Sequence, residues 1–237
     1  MAAVTGVIST TSTANASSYA SGSFTPALGD LLVVFVQASA TVAAGTLTSS
    51  RTGFTFSKVT SALNATDTIY CFVANQLVTE AVSQTVTFDC TGDAATGAII
   101  QIAAVSGISK FGNPAASVRQ SAVSDNQASG GTPAATFGSS CLTGNPTLGV
   151  VGNDSNPAGL TAPTSWTERD DTGYGTPTSG AEYVSRDSGF TGTTITWGST
   201  SATAFGVVII EIDASTVSPP PQALLQPMVA AYADRGY

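Results

Sequence analysis

Thr194-Ile195-Thr196-Trp197 decides the fold, because the chain has used the same phrase before: Thr85-Val86-Thr87-Phe88 stands about 110 residues upstream. Both alternate polar and apolar residues, as a strand with one wet face does. Each leads through a short turn into an apolar run, Ala98-Ile99-Ile100-Gln101-Ile102 and Val207-Val208-Ile209-Ile210-Glu211-Ile212. Further upstream, Ile69-Tyr70-Cys71-Phe72-Val73 matches Ala181-Glu182-Tyr183-Val184, and Gly53-Phe54-Thr55-Phe56 matches Ser165-Trp166-Thr167-Glu168. Leu32-Val33-Val34-Phe35-Val36 likewise matches Leu148-Gly149-Val150-Val151. The same segments recur in the same order, so the pattern predicts a half-sandwich used twice.

Before residue 216 no apolar stripe has useful helical spacing, and β-branched residues are everywhere. The expectation is an all-β chain: one two-sheet, jelly-roll-like sandwich over 1–215 with an internally duplicated half, followed by a short arm over 216–237. Two tandem immunoglobulin-like domains fit less well, since each half offers only about five clear strands where about seven are needed. Leu31–Gln37 is apolar on both faces, which predicts a central strand covered from both sides. The Ser/Ala/Gly/Asn-rich stretch 106–145 is expected to cross between halves, with one or two edge strands. Phe54, Phe88, Trp166 and Trp197 are expected to anchor cores.

Only 9% of the 237 residues are charged, and the polar positions are filled by Ser, Thr, Asn, Gln and Gly. Little charge repulsion keeps such surfaces apart, so much of this one is expected to be covered by other protein. The seven Lys and Arg are scattered singly against fifteen acids, for a net charge of -8, which argues against a nucleic-acid partner. No apolar run is long enough to span a membrane, and no export signal is visible at the N-terminus. Cys71, Cys90 and Cys141 form no disulfide framework. Even a hairpin of 68–73 with 84–90 would set Cys71 near Thr87 rather than Cys90, so free thiols are expected.

The chain has no histidine, which removes the Ser-His-Asp and Cys-His triads and the commonest general base. No P-loop and no Cys-x-x-Cys pair is present, and no cofactor is expected. Glu168, Glu182 and Glu211 are the carboxylates a glycosidase would need, but no aromatic and charged cluster accompanies them. No enzyme is expected. Asp89–Asp93, Asn153–Asn156 and Asp170-Asp171 are rich in oxygen donors but lack EF-hand spacing, so they read as turns and no metal is expected. Tyr174, in a Gly/Thr-rich stretch, reads as a hairpin-tip residue that could touch a partner or simply be half-buried.

After Asp213, Ser218-Pro219-Pro220-Pro221 reads as a stiff spacer. Leu224, Leu225, Met228, Val229 and Tyr232 follow at helix-like spacing around Pro227, and read as a docking arm for a neighbouring subunit.

With repeat and tail in view, the chain resembles a family of bacteriophage virion proteins. The residues that carry the resemblance are Gly29–Val36, Gly152–Asp154, Pro163–Glu168, Asp171–Gly175 and Thr194–Gly198. The resemblance implies a non-enzymatic structural module of phage heads, tails or fibres. Low charge, acidic balance and a docking arm favour a capsid decoration or cement protein on the outer face of a phage head. It would assemble in the host cytoplasm, with the major capsid protein and copies of itself as partners. The alternative is a receptor-binding or adhesin module of a tail or head fibre, using the 173–180 loop and Tyr174 to bind a host glycan.

Overall fold

The computed structural model describes residues 2–42, 44–108 and 114–214. The arm residues Leu224, Leu225, Met228, Val229 and Tyr232 lie outside them. The first half forms β1 (Ala3–Ser12), β2 (Ser18–Ala20), β3 (Leu31–Ala38), β4 (Thr46–Ser49), β5 (Phe56–Asn64), β6 (Asp67–Ala74), β7 (Val86–Asp89) and β8 (Ala98–Ser106). A short 3-10 turn, Pro114–Ser117, precedes the second half. There follow β9 (Val118–Gln127), β10 (Ala134–Thr136), β11 (Thr147–Asn153), β12 (Thr167–Gly175), β13 (Thr178–Arg186), β14 (Thr194–Thr196) and β15 (Phe205–Ile212).

Duplication extends to the topology. The first large sheet has the order β1-β8-β3-β6-β5, and the second, read from its other edge, β9-β15-β11-β13-β12. Replacing each strand by its repeat partner converts one order into the other. The polar/apolar phrases end up in smaller sheets, β2-β7-β4 and β10-β14. In the second half the segment matching β4 contains Pro157 and Pro163 and contributes no strand, but Gly198 still donates to Thr161 O at 2.7 Å. Proline has no N–H to give a ladder, which accounts for the loss.

Four layers result, with three apolar seams. The two large sheets pack face to face through Leu31, Val33, Phe35, Ile69 and Cys71 on one side and Leu148, Val150, Tyr183, Val208 and Ile210 on the other. Phe35 and Tyr183 meet across this seam with ring centroids 5.3 Å apart. The opposite faces of the same strands meet the small sheets. Leu32, Val34, Phe72 and Ile100 pack on Tyr19, Leu47 and Phe88, while Val151, Val207 and Ile209 pack on Ile195 and Trp197. Both faces of the central strands are therefore buried, which is why their sequences are continuous apolar runs rather than alternations. The chain is all-β and sandwich-like as expected, but the strands divide among two large sheets packed face to face and a small sheet on the outer face of each, with eight described strands in the first half and seven in the second rather than about five.

Glycine sets the approach of the two large sheets. Gly152 pairs with Gly206 across β11 and β15. A Cβ at Gly152 would overlap Gln37 Oε1 and lie 2.8 Å from Ile69, and one at Gly206 would lie 2.5 Å from Leu63 O. Phe88 and Trp197 anchor the two outer seams as expected, and Phe54 is buried too. Trp166 is only half-buried, edge-on to Phe190 at 5.5 Å.

The hairpin considered for 68–73 and 84–90 is not formed, because β6 and β7 belong to different sheets. Cys71, Cys90 and Cys141 lie in three different seams and are free thiols.

Candidate functional site

Four of the six central strands carry a lone Gln or Glu within or at the end of their apolar run: Gln37, Gln101, Glu182 and Glu211. All four are buried. A buried carboxylate or amide is tolerated only when its hydrogen bonds are made inside the protein, and the partners show what these residues do.

Glu211 leaves β15 and accepts from Arg119 Nη1 at 2.6 Å, Gln120 Nε2 at 2.5 Å, Leu142 N at 2.8 Å and Asn145 Nδ2 at 2.7 Å. Burial alone would raise its pKa. The donors from Leu142, Asn145, Arg119 and Gln120 outweigh that and hold it below the ordinary carboxylate value. The residue clamps β9 and the 139–146 loop to the sheet.

Glu182, on β13, accepts from Trp197 Nε1 at 2.9 Å and from Leu160 N at 3.1 Å. Burial, then the charges of Glu168 and Asp171, push it up to about 7. It ties the large sheet to β14's neighbour Trp197 and to the loop that replaces a third strand.

The third network lies at one end of the central seam. Gln37 Nε2 donates to Asp67 Oδ2 at 3.0 Å and to Ser179 Oγ at 2.7 Å, and Ser179 Oγ donates to Asp67 Oδ2 at 3.1 Å. Close by, the Tyr174 and Ser39 hydroxyls share a hydrogen bond. Burial is the main cause that lifts Asp67 to about 6.

The three glutamates that a glycosidase would need are separated in role. Glu182 and Glu211 are buried in different networks and Glu168 is exposed on β12. A cavity of about 170 Å³ opens between β1 and β12, lined by Ile8, Gln101, Arg169, Asp170 and Tyr183 among others, and none of the three glutamates lines it. Among the described residues no three His, Cys, Asp or Glu side chains group as metal ligands. Asp89 Oδ1 accepts from Thr91 N at 2.6 Å and Asn153 Oδ1 from Ser155 N at 3.1 Å, the local bonds of Asx turns.

Tyr174 corrects the sequence reading. The hairpin turns at Thr176-Pro177, two residues later, so Tyr174 falls within β12 with its side chain inward. Its ring belongs to the central seam and only 6% of the residue is exposed, so no aromatic stands there for a ligand to stack on.

The described cations are engaged within the chain. Arg51 pairs with Glu80 at 3.3 Å, Arg119 with Glu211, and Arg169 with Asp187 at 3.4 Å. Lys58 lies over the Tyr70 ring, 5.6 Å from its centroid, and Arg186 donates to Ser188 O and Gly189 O.

The outermost surfaces are different in kind. On the first small sheet Ser18, Ala20, Thr46 and Thr48 face solvent, and on the second Thr136, Thr194 and Thr196 do. Thr136 and Thr194 hydrogen-bond through their hydroxyls at 2.9 Å. Asp89 of β7, paired with Ser18 and Thr46, is the one carboxylate exposed on the first of these faces. The two small sheets are the outer layers of the stack, so the hydroxyl-rich faces look in opposite directions. Sequence reading expected a covered, weakly charged surface but placed its contacts on the 216–237 arm and on sandwich edges and loops, not on the faces of outer sheets. The signal for the faces themselves is the repeated Thr-x-Thr at 46–48, 85–87 and 194–196.

No family model, curated protein or solved structure matches the chain.

Proposed function

We propose that the protein is a non-enzymatic structural component of a virus particle, a decoration or cement protein on the outer face of a phage head. The observation that carries this reading is the pair of Ser/Thr-rich faces on opposite sides of one stack, the second without a charged side chain and the first with one carboxylate, Asp89, beside Ser18 and Thr46. Duplication gives the chain two similar surfaces at a fixed separation, and a bridge between neighbouring capsomers needs that bivalency. Each contact can be modest, because symmetry multiplies it across the shell. Consumption of Glu182, Glu211, Arg119 and Arg169 by internal locks supports the same reading, since these groups brace the fold. Major capsid protein and further copies of this chain are the partners, with the 216–237 arm adding an apolar contact.

The adhesin alternative would use the 173–180 loop, with Tyr174 as its aromatic contact. With that side chain buried, no observation favours it. Particles lacking the protein should assemble but lose their DNA at lower temperature or under osmotic shock, with recovery when purified protein is added back. Unchanged particle stability refutes the cement role.

A further inference from the structure

The turn between β5 and β6 brings together oxygen donors that the three networks leave over. Asn64 and Asp67 are the last facing pair of that hairpin, and Ala65 between them takes a positive φ of 48°. Both side chains are buried. Across the central seam, the 153–156 loop that follows β11 sets Asp154 against them, its Oδ1 accepting from Asn64 Nδ2 at 3.3 Å. The adjoining Asn153 O accepts from Gln37 Nε2, the same nitrogen that reaches Asp67.

Two features of this corner are unbalanced. Among the described residues, no donor reaches the buried Asn64 Oδ1, and the nearby Gln37 Oε1 is in the same condition. An unmade bond of this kind is expensive in a native interior. Asp67 is also a buried carboxylate with a second carboxylate, Asp154, near enough to raise its pKa further, and among the described residues no lysine or arginine acts on it. Orphaned oxygens and uncompensated negative charge in one place call for a cation.

We propose that a calcium ion binds in this corner, held by the Asn64 amide oxygen and the carboxylates of Asp67 and Asp154, with water completing its shell. The donor set is all oxygen, which suits a hard cation better than zinc with its preference for sulfur and nitrogen. An irregular set drawn from a turn and a loop suits calcium's flexible coordination better than magnesium's strict octahedron. Asp154 is half-exposed, so the ion has a path from solvent. Two carboxylates make a weak site, with a dissociation constant on the order of 0.1–1 mM. The ion joins a turn of the first half to a loop of the second, and so pins the central seam.

The test is calorimetric titration of calcium into EDTA-treated, dialysed protein, with thermal melts in 5 mM calcium chloride, 5 mM magnesium chloride or sodium chloride of matched ionic strength. Saturable heat and a rise in Tm of about 3–5 °C in calcium alone are expected. Asp154→Asn, at a half-exposed position, should melt in EDTA near the parent and lose the calcium response. Absence of heat up to 10 mM calcium, an equal shift in all three salts, or a full response in Asp154→Asn overturns the proposal. None of these outcomes bears on the role in the particle.

Discussion

Replacing Glu182 by glutamine should change how stability depends on pH more than stability itself. The Glu182 side chain is fully buried and its carboxyl rises from 4.5 to about 7. Between those values the folded protein holds a proton that the unfolded chain has released, so this group's contribution falls as pH rises. Asp67 acts with the same sign, but its window ends near 6. From pH 6 to 8 Glu182 therefore dominates, and it should remove about 1.4 kcal/mol of stability. At a urea dependence near 3 kcal/mol/M, the midpoint falls by about 0.5 M over that range. In Glu182→Gln the amide oxygen can still accept from Trp197 Nε1 or Leu160 N but not both, a loss of about 1 kcal/mol. The variant should be less stable than the parent at pH 5.5, about equal or better at pH 8, and nearly flat from 6 to 8. Urea denaturation at half-unit pH steps measures this. A parent protein whose stability is level or rising between pH 6 and 8, or a variant that keeps the parent's slope, refutes the reasoning.

Gly152→Val should destabilise the chain by about 1–3 kcal/mol, since its side chain must displace Gln37 and Ile69 from the closest approach of the two large sheets; an unchanged urea midpoint would mean the seam is looser than described. Trp197→Ala should lose about 3–5 kcal/mol through the cavity in the second outer seam, and it also leaves Glu182 short of a donor, so the loss measured by denaturation should be larger at pH 8 than at pH 5.5. Removing residues 218–237 should leave the melting temperature nearly unchanged yet sharply reduce occupancy on particles, measured by gel densitometry; undiminished occupancy assigns the arm no docking role.

The central strands were legible because they are buried on both faces, and Leu31–Gln37 or Val207–Ile212 can hardly be anything else. β9 was not. Its alternation runs through Val118, Gln120, Ala122 and Ser124, side chains too small or polar to announce a strand, although they half-bury against the sheet. β4 is four residues long with a single buried Leu47, below the length at which alternation can be recognised. Tyr174 was misplaced because Gly173 and Gly175 resemble a turn. Gly173 serves instead to let the 179–180 backbone and Asn156 approach, since a Cβ there would meet Ser179 O at 2.5 Å. The locks at Glu182, Glu211 and Gln37 unite residues as far as 142 positions apart, so their partners carry no local signal. Their own positions did carry one: a lone polar residue in an apolar strand is a buried polar residue, and it must have a partner.

The most direct measurement of the central claim is the ratio of this protein to major capsid protein in purified particles, by quantitative mass spectrometry. A decoration or cement protein predicts a copy number comparable with that of the major capsid protein. A handful of copies per particle, or absence from particles, would contradict it.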